Sequence, residues 1–203
     1  MRYVYDFDST LFSTERLWQA ERAMIISAGF DPEVVDETGD QAARLGYSPR
    51  KHMEMLGMDA DVIVDIIERF EVLLRDDAPS FVFADVIPFI NARKDHSHSV
   101  LTIGDEGHQR EKLLTSGIDK LIPNITIARP EETKASHLLR MLEQEQKLIF
   151  IDDNPTHLIT AHEAKLPIDL VRIKRKGEYY AIEPHELDDV AWRVITSLSE
   201  IET

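Results

Sequence analysis

From about residue 97 onward the chain repeats one pattern, in which a short apolar, β-branched segment is followed by a longer amphipathic segment. The short segments HSVLTIG, LIPNITIA, KLIFIDD and PIDLVRI are typical of strands. The intervening segments DEGHQREKLLTSG, PEETKASHLLRMLEQEQ and NPTHLITAHEAK are typical of helices, and a last helix is predicted near HELDDVAWRVITSLSEI. This alternation favours an α/β fold, in which helices cover both faces of a doubly wound, mainly parallel sheet.

A long helical stretch separates the first strand from this repeating part. RYVYDFD is a β-branched and aromatic segment typical of a strand, whereas residues 13–85 have helical periodicity. Two of the predicted helices begin with a capping residue followed by proline, at Asp31–Pro32 and Ser48–Pro49. We therefore expect an α/β core formed by residues 1–12 and 86–203, and a small helical domain, 13–85, that lies beside the end of the first strand.

The composition argues against several classes of function. With 38 acidic and 23 basic residues the net charge is -15, which repels nucleic acids and anionic lipid surfaces. The lack of cysteine excludes disulfides and thiolate metal sites. The sequence has no apolar run long enough for a membrane span, and its N-terminus lacks the apolar core of a signal peptide. We expect a cytoplasmic protein without nucleic-acid or membrane partners.

Three predicted strands end in side chains that a buried sheet does not need. Asp6 and Asp8 follow YVY, Thr102 follows SVL, and Asp152 and Asp153 follow LIFI. One such aspartate alone is typical of a helix cap or a turn. Four carboxylates at the same edge of a sheet repel one another, and a hard divalent cation with oxygen ligands, Mg²⁺ before Ca²⁺, is the simplest relief.

The order of these residues resembles that of the haloacid dehalogenase superfamily, specifically its phosphatase branch. DFDSTLF is similar to the first family motif, VLTIG to the second, EETKASHLL to the third and FIDDNP to the fourth. Ser9 stands where many members have glycine. The resemblance spans most of the chain, and it implies that the helical stretch after the first motif is a cap that closes over the site.

The resemblance also implies a role for each matched residue. Asp6 is expected to be the nucleophile and Asp8 the general acid and base of a reaction through an aspartyl-phosphate. Thr102 and Lys134 are expected to bind the phosphoryl group. Arg129, in the Arg-Pro pair where some members have Lys-Pro, is the alternative to Lys134.

The metal site implied by the resemblance uses the same strand ends. Asp6, the main-chain carbonyl of Asp8, Asp152 and Asp153 are expected to hold Mg²⁺. Whether the last two bind the ion directly or through water stays open.

The sequence therefore predicts an Mg²⁺-dependent phosphatase that acts on a small phosphorylated metabolite. The dehalogenases of the family do not keep the second aspartate, because halide needs no proton, so Asp8 favours phosphate esters. Two alternatives stay open, a phosphomutase of the same fold and a non-catalytic, metal-binding regulatory module. The oligomeric state is open as well.

Some residues outside the motifs are weaker candidates. Substrate specificity is expected to come from the cap and its hinges, with Phe12, Arg16 and Trp18 as candidates. His157 or His162 could touch the site, whereas the pair His96 and His98 is expected to lie in a solvated loop.

Overall fold

The computed structural model describes residues 1–143, 147–181 and 184–202. Its six strands are β1 (Arg2–Tyr5), β2 (Ser97–Ile103), β3 (Ile125–Ala128), β4 (Leu148–Asp152), β5 (Asp169–Ile173) and β6 (Arg193–Ile195). They form one sheet in the order β3-β2-β1-β4-β5-β6, and all neighbouring pairs are parallel. The chain runs outward from β1 to β3 and then returns to the other side of β1, so the predicted doubly wound parallel sheet is confirmed.

Helices connect these strands. Between β1 and β2 lie α1 (Thr14–Ser27), α2 (Pro32–Arg44), α3 (Pro49–Met55), α4 (Ala60–Phe81) and α5 (Val86–Asn91). The later helices are α6 (Glu106–Ser116), α7 (Ile118–Leu121), α8 (Lys134–Leu142) and α9 (Pro155–Glu163). The predicted helix over PEETKASHLLRMLEQEQ begins later than expected, at Lys134, and residues 144–146 lie outside the described part of the chain. None of the helices described is long and apolar enough to cross a membrane.

Successive residues of the strands face opposite sides of the sheet. Tyr3 and Tyr5 of β1 point into a cluster that includes residues of α5 and α6, whereas Val4 points into a second cluster with residues of α8 and α9. The sheet is thus covered by helices on both faces, as the near-continuous apolar strands require.

Residues 13–85, the helical insert between β1 and β2, have a hydrophobic cluster of their own. That cluster is formed by Ile25, Val35, Met53, Met58, Ile63 and Ile66, which come from α1 to α4 and the connections between them. The insert is joined to the sheet by two chain segments that run side by side. Ser13 N donates to Phe81 O at 2.8 Å, and Phe83 N donates to Leu11 O at 3.0 Å.

The prediction of a last helix near residues 185–201 is wrong. This segment contains turns, the short strand β6 and a single 3₁₀ turn, Leu198–Glu200. The carboxylate of Asp188 organises the turn, since it accepts from Arg172 Nη1 at 2.8 Å, Trp192 Nε1 at 2.9 Å and His185 N at 3.1 Å. Long-range bonds to a buried arginine therefore override the local helical periodicity.

Candidate active site

Asp6 and Asp8 lie directly beyond β1, where the order of strands reverses. Asp6 N donates to Ile151 O at 2.8 Å and so continues the pairing of β1 with β4. Ser9 then turns the chain with a φ of 53°. This left-handed conformation is one that favours glycine. Reversal points of this kind are where doubly wound sheets form their sites.

The ammonium group of Lys134 joins two carboxylates from different strands. Its Nζ lies 2.7 Å from Asp6 Oδ1 and 2.7 Å from Asp152 Oδ2. Lys134 begins α8 and is 1% exposed. Burial lowers the pKa of Lys134, but Asp152 and Asp6 outweigh burial and raise it above its usual value. Lys134 therefore stays charged and fixes both carboxylates.

Asp152 and Asp153 follow one another at the end of β4 but have different surroundings. Asp152 accepts from Asn154 N at 2.9 Å and contacts His157 Nδ1 at 3.1 Å, in addition to Lys134. Although burial raises the pKa of Asp152, Lys134 and His157 lower it well below the usual value. Asp153 has a pKa raised well above its usual value, because of burial and of the nearby charges of Asp152 and Asp6.

Three buried carboxylates, those of Asp6, Asp152 and Asp153, lie near the buried ammonium group of Lys134. Burial raises the pKa of Asp6 to about 6 even though Lys134 and His157 lower it. One oxygen each of Asp6 and Asp152 and a ring nitrogen of His157 lie within 4.8 Å of one another. Asp153 adds a carboxylate with raised pKa, and its Oδ1 accepts a long hydrogen bond, 3.4 Å, from Thr10 Oγ1. Oxygen donors that carry excess negative charge are the donors Mg²⁺ prefers, so this set of residues fits the ion.

Asp8 has different partners from Asp6, although the two are two residues apart. Its Oδ1 accepts from Lys112 Nζ and, at 2.7 Å, from Thr14 Oγ1, and its Oδ2 accepts from Gln109 Nε2 at 2.6 Å. Burial raises the pKa of Asp8, but Lys112 and the hydrogen bonds outweigh it and lower the pKa to about 2. In the structure described, Asp8 is therefore a carboxylate whose two oxygens both accept hydrogen bonds.

Thr102 is buried at the carboxyl end of β2. It lies two residues beyond Val100, which pairs with Tyr5 of β1. This register brings Thr102 level with the residues that follow β1, on the side of Asp6 away from β4. Lys134 contacts the carboxylates of Asp6 and Asp152 directly, whereas Thr102 lies level with the residues that follow β1.

Arg129, the alternative to Lys134, lies elsewhere. It is exposed in the loop after β3, where its main-chain N donates to Glu132 Oε2 at 2.9 Å. It lines a cavity of about 880 Å³ together with Arg44 and Gly46 of the insert and with Gly104. The structure brings Lys134, and not Arg129, to the carboxylates.

The three candidates for specificity are engaged in packing. Phe12 is fully buried and stacks on Phe7 with ring centroids 5.1 Å apart. Arg16 Nη1 donates to Ser80 O at 2.7 Å and so joins α1 to α4. Trp18 packs against Gly39, where an added Cβ would lie 2.8 Å from the indole ring. Their contacts stabilise the insert and its connection to the sheet.

One expectation for the histidines agrees with the structure, and the other is wrong for His98. His157 contacts Asp152, whereas His162 is exposed. His98 lies in β2 rather than in a solvated loop, and its two ring nitrogens contact Tyr5 Oη at 2.9 Å and Arg93 O at 3.0 Å. His96 packs its ring against Tyr3. The short spacing of His96 and His98 thus reflects packing at the start of β2.

Sequence reasoning missed four residues around the two aspartates, namely Thr14, Gln109, Lys112 and Glu178. Glu178, in the turn after β5, is 3% exposed and accepts from Ser9 Oγ at 2.8 Å, from Ser13 Oγ at 2.5 Å and from Glu15 N at 3.1 Å. The spacing of Gln109 and Lys112 places them on one face of α6. Nothing in that spacing indicates that the face meets Asp8, because the contact joins residues 104 positions apart.

The fold is similar to that of several solved structures. A haloacid dehalogenase-like hydrolase from Burkholderia xenovorans LB400 matches with a TM-score of 0.75 and 18% identity over 100% of this chain and 98% of that chain. A protein from Haemophilus somnus 129PT, described as a predicted phosphoglycolate phosphatase, matches with a TM-score of 0.62 and 14% identity over 97% and 94% of the two chains.

A third structure is that of the HAD-hydrolase YfnB from Bacillus subtilis, described as bound to magnesium. It matches with a TM-score of 0.59 and 13% identity over 85% of this chain and 88% of that chain. No protein-family model matches the sequence, and no curated protein sequence is significantly similar to it. At these identities the similarity establishes the fold alone.

Proposed function

We propose that this chain, which has the fold of the haloacid dehalogenase-like hydrolases, is an Mg²⁺-dependent phosphatase that acts on a small phosphorylated metabolite. The observation that carries the proposal is that two neighbouring aspartates have different partners. Asp6 lies among buried carboxylates with Lys134, whereas Asp8 is held apart by Lys112, Gln109 and Thr14. One carboxylate is thus available as a nucleophile and the other for proton transfer.

The proposed reaction has two steps. In the first, a carboxylate oxygen of Asp6 attacks phosphorus, the bond from phosphorus to the leaving oxygen breaks, and that oxygen takes a proton from Asp8, which must be protonated before this step and regains its proton in the second. In the second, Asp8 takes a proton from water as the water oxygen attacks the aspartyl-phosphate, which releases phosphate and restores Asp6. Lys134 and Thr102 hold phosphoryl oxygens during both steps.

The reaction requires an anionic nucleophile to approach an anionic phosphate in a protein with a net charge of -15. Asp6, Asp152 and Asp153, with the main-chain carbonyl of Asp8, would hold Mg²⁺. When bound, Mg²⁺ supplies neutralisation of the negative charge on the phosphoryl group. Lys134 already joins two of these carboxylates and contributes positive charge of its own.

The same fold also occurs in a protein described as a dehalogenase, which matches with a TM-score of 0.60 and 14% identity over 98% of this chain and 94% of that chain. Displacement of halide needs no proton donor. Asp8 and its three hydrogen-bond donors have no use in that reaction, so they favour an oxygen leaving group. A phosphomutase would use the same residues but exclude water, and a regulatory module would bind Mg²⁺ without turnover.

The position of the helical insert supports the choice of a small substrate. The insert enters and leaves the core next to Asp8, and Thr14 of α1 bonds to Asp8 directly. We propose that residues 13–85 act as a cap over the core of residues 1–12 and 86–203 and limit access by large substrates. We further propose a cytoplasmic enzyme, and the acidic composition argues against nucleic-acid and membrane partners.

The proposal is tested by phosphate release from a panel of small phosphorylated metabolites, with Mg²⁺ or with a chelator, for the wild type and for Asp6→Asn. We expect release that requires both Mg²⁺ and Asp6. A folded wild type that binds Mg²⁺ but releases phosphate from no member of the panel would favour the regulatory module. Transfer of phosphate within one sugar phosphate, without release, would favour the phosphomutase.

A further inference from the structure

The carboxylate of Asp8 is fixed by donors on both of its oxygens. Lys112 Nζ and Thr14 Oγ1 donate to Oδ1, and Gln109 Nε2 donates to Oδ2. A carboxylate with one partner can rotate about its bonds, whereas one with donors on both oxygens keeps its plane and direction. Proton transfer requires the donor and acceptor atoms within about 3 Å of each other, so such fixation has a direct use.

Lys112 has few of the properties of an ordinary surface lysine. It is 3% exposed, and its Nζ pairs with Asp8 rather than with solvent. Removing an ammonium group from water is costly unless it is paired. Gln109 reaches Asp8 by lying over Gly104, where an added Cβ would be 2.9 Å from Gln109 Nε2. A side chain at position 104 would therefore displace Gln109, so the glycine is needed for the bond between Gln109 and Asp8.

The helix that carries both donors also contacts the insert. His108 of α6 packs its ring against Tyr47, which precedes α3, and against Phe70 of α4, with centroids 5.8 and 6.0 Å apart. Gln109 and Lys112 follow on the same helix, and Thr14 belongs to α1 of the insert. The place of Asp8 is therefore determined by α6 and the insert together, in addition to its own strand.

We infer that Lys112, assisted by Gln109, is a positioning residue that aims the Asp8 carboxyl group at the leaving oxygen. The inference rests on the proposed phosphatase function and deepens it. A purely structural role for Lys112, as the counterion of a half-buried carboxylate, predicts equal effects on every substrate. A positioning role predicts a loss that depends on how much the leaving group needs a proton.

Two substrates of similar size separate these roles. The 4-nitrophenolate leaving group of 4-nitrophenyl phosphate departs without a proton, whereas the alkoxide of benzyl phosphate needs one. The ratio kcat/KM covers the steps up to departure of the leaving group, so the later hydrolysis of the aspartyl-phosphate does not affect it. Comparing kcat/KM for the two substrates in one sample also cancels differences in the folded fraction.

Lys112→Met removes the ammonium group and keeps an unbranched side chain. We expect its kcat/KM to fall by about 10²-fold for benzyl phosphate and by less than about 5-fold for 4-nitrophenyl phosphate. Lys112→Arg, which keeps a cationic donor, should recover part of the loss for benzyl phosphate. The matched control is Arg110→Gln, which removes an exposed cation from the same helix and should leave both values unchanged.

Equal losses for both substrates, or a ratio like that of Arg110→Gln, would overturn the inference. If Lys112→Met does not fold, Gln109→Met provides the same comparison, because it removes the donor to the other oxygen. A wild type that hydrolyses neither these two esters nor the metabolite panel would instead refute the phosphatase proposal. A wild type that turns over, together with an unchanged ratio in both variants, would refute only the positioning role.

Discussion

The Nζ atom of Lys134 lies 2.7 Å from Oδ1 of Asp6, and both side chains are buried. Their elements, α8 and the end of β1, are far apart in the sequence, so this contact exists only in the folded chain. Because the same Nζ also contacts Asp152, one lysine holds together two carboxylates that would otherwise repel each other. The stability of this edge of the sheet therefore depends on the same group that we propose as a ligand of the phosphoryl group.

Replacing Lys134 with methionine should destabilise the protein strongly when Mg²⁺ is absent. The change leaves Asp6 and Asp152 buried without their ammonium partner, and loss of one member of a buried ion pair costs about 3–5 kcal/mol. Urea unfolding measures the change in the free energy of unfolding. Lys147→Met, which removes an exposed ion pair with Asp169, is the control and should change it by less than about 0.5 kcal/mol. Equal effects of the two substitutions would contradict this account of Lys134.

Addition of Mg²⁺ should stabilise the wild type against heat. An ion that binds only the folded state at 100 times its Kd adds about 2.7 kcal/mol to the free energy of unfolding. Scanning calorimetry with Mg²⁺ and with a chelator measures the increase in Tm. Asp153→Asn should lose most of that increase, whereas Asp65→Asn, an exposed position in α4, should keep it. A full increase in Asp153→Asn would mean that the ion binds elsewhere.

Asp6→Asn should abolish phosphate release without lowering the stability of the protein. The change removes the nucleophile, so we expect phosphate release to fall by at least about 10³-fold. Burial raises the pKa of Asp6 to about 6, so ionising Asp6 costs more free energy in the folded than in the unfolded chain, and this cost lowers the stability of the wild type above about pH 6. Near pH 7 without Mg²⁺, the Tm of the variant should equal or exceed that of the wild type. Retained turnover in a pure sample would refute the role of Asp6 as nucleophile.

Asp85 should contribute to stability in a pH-dependent way. Its Oδ2 accepts from Arg175 Nη1, Ser197 Oγ and Leu198 N, each at 2.7 Å. Burial raises the pKa of Asp85, but Arg175 and the hydrogen bonds outweigh it and lower the pKa. Since the folded pKa is below the unfolded value of about 3.9, the contribution is present above about pH 4 and is lost as the pH falls through the folded pKa.

Asp85→Asn tests this contribution. At pH 7 it should lower the free energy of unfolding by about 1–2 kcal/mol, because a charged acceptor of three hydrogen bonds is lost. The difference from the wild type should shrink as the pH is lowered toward 3, as urea unfolding at several pH values can measure. Asp76→Asn, at an exposed pair with Arg75, serves as the control. A difference that is constant from pH 7 to 3 would mean that the charge of Asp85 has no part in it.

The sequence predicted those parts of the fold and site that depend on local patterns. Strand ends located Asp6, Thr102 and Asp152, because parallel strands bring their carboxyl ends to one edge whatever the connections are. It failed at Asp188, where a side chain accepting from Arg172 and Trp192 determines a turn that periodicity alone assigned to a helix. Contacts between side chains on distant elements produce no periodic pattern in the sequence.

The same limit applies around Asp6 and Asp8. Asp8 was predicted from its motif, but the residues that hold it were not. Lys112 is one of several charged residues of α6, and its sequence neighbours do not distinguish it from Arg110. Only the docking of α6 against the end of β1 makes one of them buried and the other exposed. Glu178 was missed for the same reason, since its partners Ser9 and Ser13 lie at the other end of the chain.

The two segments that connect the helical insert to the sheet bond to each other through Ser13 and Phe81 and through Leu11 and Phe83. Arg175 reinforces this junction, since its Nε donates to Thr10 O at 3.0 Å and its Nη1 donates to Asp85. The distance between the chain's exit from β1 and its return is therefore fixed at the junction. Helix α4 of the insert also packs into the core beneath the sheet, because Phe70, Leu74, Ala78 and Phe81 share a cluster with Tyr3 and Tyr5. The insert is thus closed at its base like a loop, yet one of its helices is part of the core that supports the sheet.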